Sequence, residues 1–243
     1  VLTFMSETFK SQIKNLVDDL KAVFTHVGLG GEAAEYKLLT QSFLYKFLND
    51  KFLYQAKAID ASNSYEKLID MSEEDYAWLL KFIGTSTAWL KPDQLIETLH
   101  RQQNEPTFYE TFENTLNQIA IDNNDIFSVH TDGDTAIRLF DERLITDTIS
   151  DSSKRNEVAK AIINLLARVK FDETIFSQGF DFFSTLFEYM IKDYNKDGGG
   201  KYAEYYTPHS VAKIIADILV GNDQPSNVRI YDPSAGSGTL LMN

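Results

Sequence analysis

The residues best suited to chemistry stand near the C-terminus, where a glycine-rich turn follows a short apolar run. The segment Val228–Tyr231 predicts a short buried strand, and Asp232-Pro-Ser-Ala-Gly-Ser-Gly238 follows it directly. A parallel α/β sheet uses a strand followed by such a turn to bring backbone close to a ligand. We therefore expect a ligand site in this turn.

Two common catalytic or binding turns do not fit these residues. A phosphate-binding P-loop requires Gly-Lys-Ser/Thr after its glycines, whereas Thr239 and Leu240 follow Gly238. A nucleophile elbow requires Gly-x-Ser-x-Gly, whereas Ala235 stands two residues before Ser237. The turn is therefore predicted to be neither a triphosphate cradle nor an esterase site.

A second signal lies upstream of the turn. The pair Thr207-Pro208 predicts a helix start, because a threonine hydroxyl can cap free backbone N–H groups and proline is pre-set for the first helical position. Gly221-Asn222 then predicts the end of this helix. Its apolar residues recur on one face, at Val211, Ile214, Ile215, Ile218 and Leu219.

The two signals together resemble the S-adenosylmethionine-binding motifs of N6-adenine DNA methyltransferases, in the order where Thr-Pro precedes Asp-Pro-x-x-Gly-Ser-Gly. The run from Gly199 to Pro208, Gly-Gly-Lys-Tyr-Ala-Glu-Tyr-Tyr-Thr-Pro, is similar to that of modification subunits of Type I restriction–modification systems. The resemblance is sharp over residues 198–241. It extends weakly to Glu35-Tyr-Lys37 and Phe43-Leu-Tyr-Lys-Phe-Leu48.

The resemblance implies how the cofactor S-adenosylmethionine would be held. The N-terminus of a helix suits its carboxylate, and Thr207 with Tyr205, Tyr206 and Pro208 would bind that end. Asp232 would accept from its amine. Gly236 and Gly238 would let the backbone approach the cofactor, and the hydroxyl groups of Ser237 and Thr239 would donate hydrogen bonds to it. The implied contacts in the turn are Ser234, Gly236, Ser237, Gly238 and Thr239.

The family transfers its methyl group with an Asn/Asp-Pro-Pro-Tyr/Phe loop, whose aromatic ring stacks on a flipped base. The sequence has 5 prolines, and no two are adjacent. We therefore expect no catalytic residue in this chain, and we predict that it alone methylates nothing and binds the cofactor weakly or not at all. A doubly wound sheet needs several strands, and one predicted strand before Asn243 favours a fragment.

The net charge limits how this chain could bind DNA by itself. The formal net charge is −13, whereas a free-standing DNA-binding protein usually carries a basic stripe. If the chain acts on DNA, other chains must supply most of the grip. By resemblance these partners are a specificity subunit, a second modification subunit and a restriction subunit, with DNA bound in the assembled complex.

The remaining composition points to a cytoplasmic protein without a metal site. There is no cysteine, which excludes a thiolate site and fits a reducing compartment. The 4 histidines are scattered along the sequence, and their spacing predicts no metal site. The apolar runs are too short to predict a membrane span.

Helical periodicity dominates the rest of the chain. We predict a mainly α N-terminal helical domain over residues 1–195 and, over residues 196–243, the truncated start of an α/β, Rossmann-like S-adenosylmethionine-dependent methyltransferase domain. Asn195–Gly200 would be the linker, since three consecutive glycines cannot hold a helix. The predicted helices begin at Ser6, Glu32, Ser72, Pro92, Pro106, Lys154 and Phe182. The helix from Glu32 to Ile59 is predicted to have a wide apolar face, which includes Tyr36, Leu39, Phe43 and Leu48. The stretch after Gly84 is ambiguous and could be a short strand, and the stretch from Asp122 to Asp134 is predicted to be a flexible loop.

Two other functions remain open from the sequence. A fused single-chain restriction–methylation enzyme would begin its methyltransferase half similarly, although no nuclease motif is evident upstream. A non-catalytic helical interaction module would carry the turn as a vestige. A cofactor titration on the complete protein separates the last possibility from the other two.

Overall fold

The computed structural model describes residues 2–85, 87–127, 129–130, 136–171, 176, 207, 209–221, 229–234 and 240–241. The chain divides into two compact units, residues 1–180 and residues 181–243. The predicted linker 195–200 and the predicted helix 182–194 lie outside the described residues. The domain boundary at residue 195 therefore stays a prediction.

The first unit is built from helices. Its elements are α1 (Leu2–His26), α2 (Ala33–Ile59), α3 (Tyr65–Ile69), α4 (Glu73–Ile83), a 3₁₀ turn (Pro92–Gln94), α5 (Ile96–Gln102), α6 (Phe108–Asp122), α7 (Asn124–Phe127), β1 (Val129–His130), β2 (Ala136–Ile137), α8 (Leu144–Thr148), a 3₁₀ turn (Ser152–Lys154) and α9 (Arg155–Arg168). The strands β1 and β2 pair antiparallel.

The core of this unit lies around α2 and α9. Helix α2 contacts α1, α4 and α8, while α9 packs against α1, α5 and α6. The wide apolar face predicted for α2 is confirmed, because Leu39, Phe43 and Leu48 are buried. Tyr36, expected on the same face, is 38% exposed. The aromatic residues of this face thus belong mainly to the core.

Helix boundaries follow local signals at some positions and not at others. The helix predicted from Pro92 is instead a 3₁₀ turn, Pro92–Gln94, followed by α5 from Ile96. Helix α1 begins at Leu2, so the prediction that Ser6 caps it is wrong. It ends at His26, followed by Gly28 and Gly31 at φ of 89° and 75°, which favour glycine. The cap at Ser72 is confirmed, because its Oγ accepts from the backbone N–H of Asp75 at 3.1 Å.

The stretch after Gly84, which could have been a strand, forms none in its described residues. The side chain of Asn123 makes the backbone hydrogen bonds that a neighbouring strand would otherwise make. Asn123 accepts from the backbone N–H of Trp89 at 2.6 Å and donates to the Trp89 carbonyl at 2.8 Å. Because Asn123 is fully buried, its amide satisfies both backbone groups of Trp89 without a ladder.

The loop predicted from Asp122 to Asp134 is partly ordered into regular elements. Asn124–Phe127 is a short helix and Val129–His130 pairs with Ala136–Ile137. The hairpin is two residues long on each side, too short to be read from alternation alone. Residues 131–135, which join the strands, lie outside the described part.

In the second unit, α10 (His209–Val220) confirms the predicted helix, and Gly221 follows it at φ of 60°. The prediction of a buried strand before the turn is wrong in its described residues. Arg229–Asp232 has no regular structure, and Ile230 and Tyr231 are 67% and 87% exposed. A strand is stable only with neighbours to pair with, and no described residue pairs with this segment. The Rossmann-like start is thus not confirmed.

Across the described residues, no helix combines the length and the apolar content that spanning a bilayer would need.

Candidate functional site

The turn at Asp232 is closed by its own side chain. The Asp232 Oδ1 atom accepts from the backbone N–H of Ser234 at 2.8 Å, which forms an Asx turn. Pro233 between them lies in the same turn and is exposed. This bond fixes the direction of the carboxylate relative to the backbone that enters the glycine-rich segment.

The second carboxylate oxygen of Asp232 has no assigned partner. Oδ2 is shielded from solvent and makes no hydrogen bond in the described part of the chain. A buried acceptor left without a donor costs about 1–3 kcal/mol. An ammonium or hydroxyl group of a ligand would remove that cost. The carboxylate is therefore suited to bind a cationic or hydroxylated group.

The second predicted contact region is the N-terminus of α10. Helix α10 starts at His209, two residues after Thr207, which is half-buried. The N–H groups of its first turn lack intrahelical acceptors and give that end a partial positive charge. Such an end is suited to a carboxylate.

The structure places only part of the predicted site. It joins Asp232 and Ser234 through the turn hydrogen bond. The remaining predicted contacts, Tyr205, Tyr206, Pro208, Gly236, Ser237, Gly238 and Thr239, lie outside the described residues. In the described ranges, no group of histidine, aspartate and glutamate side chains could hold a metal ion.

Sequence reasoning missed a buried charged pair in the first unit. Lys46 Nζ lies 2.9 Å from Asp50 Oδ2, and the two side chains are 4% and 11% exposed. Asp50 also accepts from Asn49 Nδ2 at 2.9 Å and from the backbone N–H of Phe171 at 3.2 Å. The pair could have been found from its i,i+4 spacing on the wide apolar face of α2.

The pair borders a cavity of about 750 Å³ in the first unit. Burial lowers the pKa of the Lys46 ammonium, Asp50 opposes that change, and the charge of Lys170 adds to the lowering. The Lys46 ammonium also lies 5.4 Å from the centre of the Phe171 ring. These contacts tie α2 to the segment that follows α9, so we assign the pair a structural role.

Comparison with known proteins relates the chain to a protein family and to a curated relative. Residues 178–243 match the N-6 DNA Methylase family. The chain is also 25% identical over 214 residues to the Type I restriction enzyme MpnII methylase subunit of Mycoplasma pneumoniae. No solved structure matches.

The two matches cover different parts of the molecule. The family match coincides with the second unit, whereas the methylase subunit covers 85% of this chain and therefore reaches the helical unit as well. The chain spans 38% of the length of that relative. It is thus similar to a methylase subunit of a Type I restriction enzyme, and its residues 178–243 match the N-6 DNA Methylase family.

Proposed function

We propose that this chain is the N-terminal part of a modification subunit that transfers a methyl group from S-adenosylmethionine to adenine N6 in DNA. The proposal is supported by the match of residues 178–243 to the N-6 DNA Methylase family. The similarity to a protein named as a methylase subunit favours a multi-subunit enzyme over a fused single chain. The subunit would act in the cytoplasm, together with a specificity subunit, a second modification subunit and a restriction subunit.

The observation that carries the cofactor assignment is the buried Oδ2 atom of Asp232. S-adenosylmethionine supplies a methyl group on a sulfonium and has an ammonium at its amino-acid end. Asp232 would hold that ammonium. Thr207 and the N-terminus of α10 would hold the carboxylate. Backbone of the turn at Gly236 and Gly238 would lie along the cofactor.

The same proposal extends to the other predicted contacts. Tyr205, Tyr206 and Pro208 would line the carboxylate end, and Ser234, Ser237 and Thr239 would donate from the turn. Because the sequence has no adjacent prolines, the base-binding loop would lie in another part of the protein. Residues 1–243 alone would then transfer no methyl group.

The test uses the complete modification subunit with its specificity subunit, labelled S-adenosylmethionine and DNA. We expect label in N6-methyladenine. Asp232→Ala should weaken cofactor binding by at least about tenfold, since truncating one partner of a buried charge pair costs about 2–5 kcal/mol. The matched control is Asp217→Ala, which removes an exposed carboxylate on α10.

Three outcomes would count against the proposal. Absence of methyl transfer by the assembled wild-type protein would remove the function. Unchanged cofactor affinity in Asp232→Ala, or an equal loss in Asp217→Ala, would remove the role of Asp232. Methyl transfer by residues 1–243 alone would contradict the expected division of the cofactor and base sites.

A further inference from the structure

The cavity beside the Lys46–Asp50 pair has the size of a small-molecule site. Its volume is about 750 Å³, and its described walls come mainly from α2, the start of α3, the start of α5 and the end of α9. Ligand sites in proteins usually enclose about 300–1,000 Å³ and combine apolar walls with a few convergent polar groups. None of its described wall residues belongs to α10 or to the turn at Asp232. The cavity can therefore be considered as a binding site of its own.

The acidic side chains of the wall are already held by protein donors. The Asp50 carboxylate accepts three hydrogen bonds. The Glu97 Oε1 atom lies 3.6 Å from Arg101 Nε. At Glu66, its own backbone N–H and the Ser64 hydroxyl lower the pKa of the carboxyl group. The wall therefore has little acceptor capacity left for a cationic ligand.

The basic side chains of the wall have donors that a ligand can use. The Lys46 ammonium has three N–H groups, whereas the Asp50 carboxylate that accepts from it has two oxygens. Burial lowers the pKa of Lys46, and the like charge of Lys170 at the exposed rim adds to that effect against the opposing charge of Asp50. Lys57 lines the same cavity. An anion between the Lys46 and Lys170 ammonium groups would offset their repulsion.

Aromatic side chains form much of the apolar wall. The ring centroids of Tyr54 and Phe176 are 5.4 Å apart, with the planes tilted by 33°. Phe176 also lies 5.7 Å from the Phe47 ring, which fixes it against α2. Tyr54 and Phe176 are half-buried and line the cavity. Aromatic faces of this kind stack on nucleobases, largely irrespective of the base type.

The rings and the lysines together restrict the class of ligand. An inorganic anion would leave the aromatic wall without a contact, and an apolar molecule would leave the spare N–H of Lys46 without an acceptor. A polyanion such as DNA is repelled by a chain of net charge −13, whereas a ligand with a single phosphate brings little charge. A planar ring joined to one phosphate satisfies both parts of the wall.

We propose that this cavity binds a free mononucleotide, whose base stacks on Tyr54 and whose phosphate accepts from Lys46 and Lys170. The phosphate takes the N–H of Lys46 that Asp50 leaves over, so the buried pair keeps its structural role. Since Lys170 follows α9 and Lys46 lies on α2, the bound nucleotide joins these two parts of the first unit and stabilises the folded state. This function is additional to the proposed methyl transfer and does not depend on it.

The test titrates the complete protein with adenosine 5′-monophosphate by calorimetry, with S-adenosylmethionine present to occupy the proposed cofactor site. Adenosine and inorganic phosphate serve as partial ligands. Each should bind at least about tenfold more weakly than the nucleotide, because each lacks one of the two contacts.

Two variants separate the base from the phosphate. Tyr54→Ala should weaken nucleotide binding at least about fivefold and leave phosphate binding unchanged. Lys170→Ala should weaken nucleotide binding about fivefold and leave adenosine binding unchanged. The matched control is Lys81→Ala, which removes an exposed lysine of α4 outside the cavity. Its affinity for the nucleotide should stay within about twofold, and circular dichroism checks that each variant is folded.

Several outcomes would overturn the proposal. They are absence of nucleotide binding, an affinity that phosphate alone reproduces, or equal losses in Lys170→Ala and Lys81→Ala. Tighter binding of a 5′-phosphorylated single strand of DNA would identify the occupant as a strand end instead. Asp232→Ala should leave nucleotide affinity unchanged, and a loss there would assign the nucleotide to the cofactor site. The titration needs no methyl transfer, so a failure of the proposed activity is seen separately.

Discussion

Helices α9 and α10 have similar apolar spacing and opposite surroundings. In α9 the apolar face is wholly buried, comprising Val158, Ile162, Ile163 and Leu166. In α10 the corresponding face is open, with Ile214, Ile218 and Leu219 exposed by 58%, 73% and 80%. Ala212 is the buried residue among residues 211–220.

The difference shows what periodicity can and cannot predict. Apolar spacing predicted both helices, because it reports the side that avoids water. Whether that side is covered depends on other elements, and α9 packs against α1, α5 and α6. The two helices can therefore be compared by how much stability their apolar side chains contribute.

The largest loss of stability is expected when the buried Lys46–Asp50 pair of the first unit is broken. Asp50→Asn would leave the Lys46 ammonium without its carboxylate at a site 4% exposed. Removing one partner of a buried pair costs about 3–5 kcal/mol. We expect a loss of this size in urea unfolding at pH 7. Adding Lys46→Met should recover most of it, and an equal loss in the double variant would contradict a charge effect.

The pH dependence of Asp50→Asn sharpens the same test. Burial lowers the pKa of Lys46 in the folded protein, so between that pKa and 10.5 the unfolded chain binds more protons. Stability contributed by Lys46 therefore rises with pH in that window. Without Asp50 the lowering is stronger, and the rise should begin at a lower pH. A variant deficit that is constant from pH 7 to pH 10 would exclude this linkage.

The next effect concerns α9. Ile162→Ala should lower the free energy of unfolding by about 3 kcal/mol, because it opens a cavity beneath a fully buried side chain. Chemical denaturation of the two proteins measures the difference. A loss of unfolding free energy below about 1 kcal/mol would mean that the side chains around Ile162 are packed less tightly than its burial indicates.

A smaller effect is expected from Tyr76, whose hydroxyl donates to the Leu90 carbonyl. Tyr76→Phe should cost about 1 kcal/mol at pH 7. Burial raises the pKa of Tyr76 above 10.0. Above pH 10 the unfolded chain releases this proton while the folded chain keeps it, so wild-type stability falls as pH rises. The gap between wild type and variant should narrow from pH 7 to pH 11, and a constant gap would refute the titration.

The smallest effect is expected on α10. Ile218→Ala should change the unfolding free energy by less than about 0.5 kcal/mol, because the side chain is 73% exposed. This variant is the direct partner of Ile162→Ala. A loss as large as that of Ile162→Ala would show that the α10 face is covered in solution, and the contrast between the two helices would disappear.

Most of the helical unit could be predicted from the sequence, and its exceptions have physical reasons. Spacing and caps located α2, α4 and α9 because these signals are local. The stretch from Gly84 to Trp89, which is ambiguous in the sequence and could have been a short strand, forms none in its described residues. Asn123, distant in the sequence, satisfies the backbone of Trp89 instead. The Lys46–Asp50 pair was missed although its i,i+4 spacing is a local signal, because spacing does not show burial, which here depends on contact with Phe171 after α9.

The candidate site could be predicted only as a motif. The residues Asp232-Pro-x-x-Gly-Ser-Gly predicted a ligand-binding turn, which lies within the residues 178–243 that match the N-6 DNA Methylase family. The role of the individual residues stays a prediction. The strand expected before it is not formed in its described residues, because pairing depends on neighbours elsewhere in the chain. The buried Oδ2 atom of Asp232 could not be foreseen, since solvent shielding of one oxygen depends on three-dimensional packing.

The open face of α10 has a consequence for laboratory work on this protein. Solvatochromic dyes bind exposed apolar surface, and their fluorescence normally reports unfolding. Ile214, Ile218 and Leu219 already offer such surface in the folded chain. A dye-based thermal shift assay should therefore begin from a high baseline and show a shallow rise. Circular dichroism, which follows the helices themselves, is the better probe of melting.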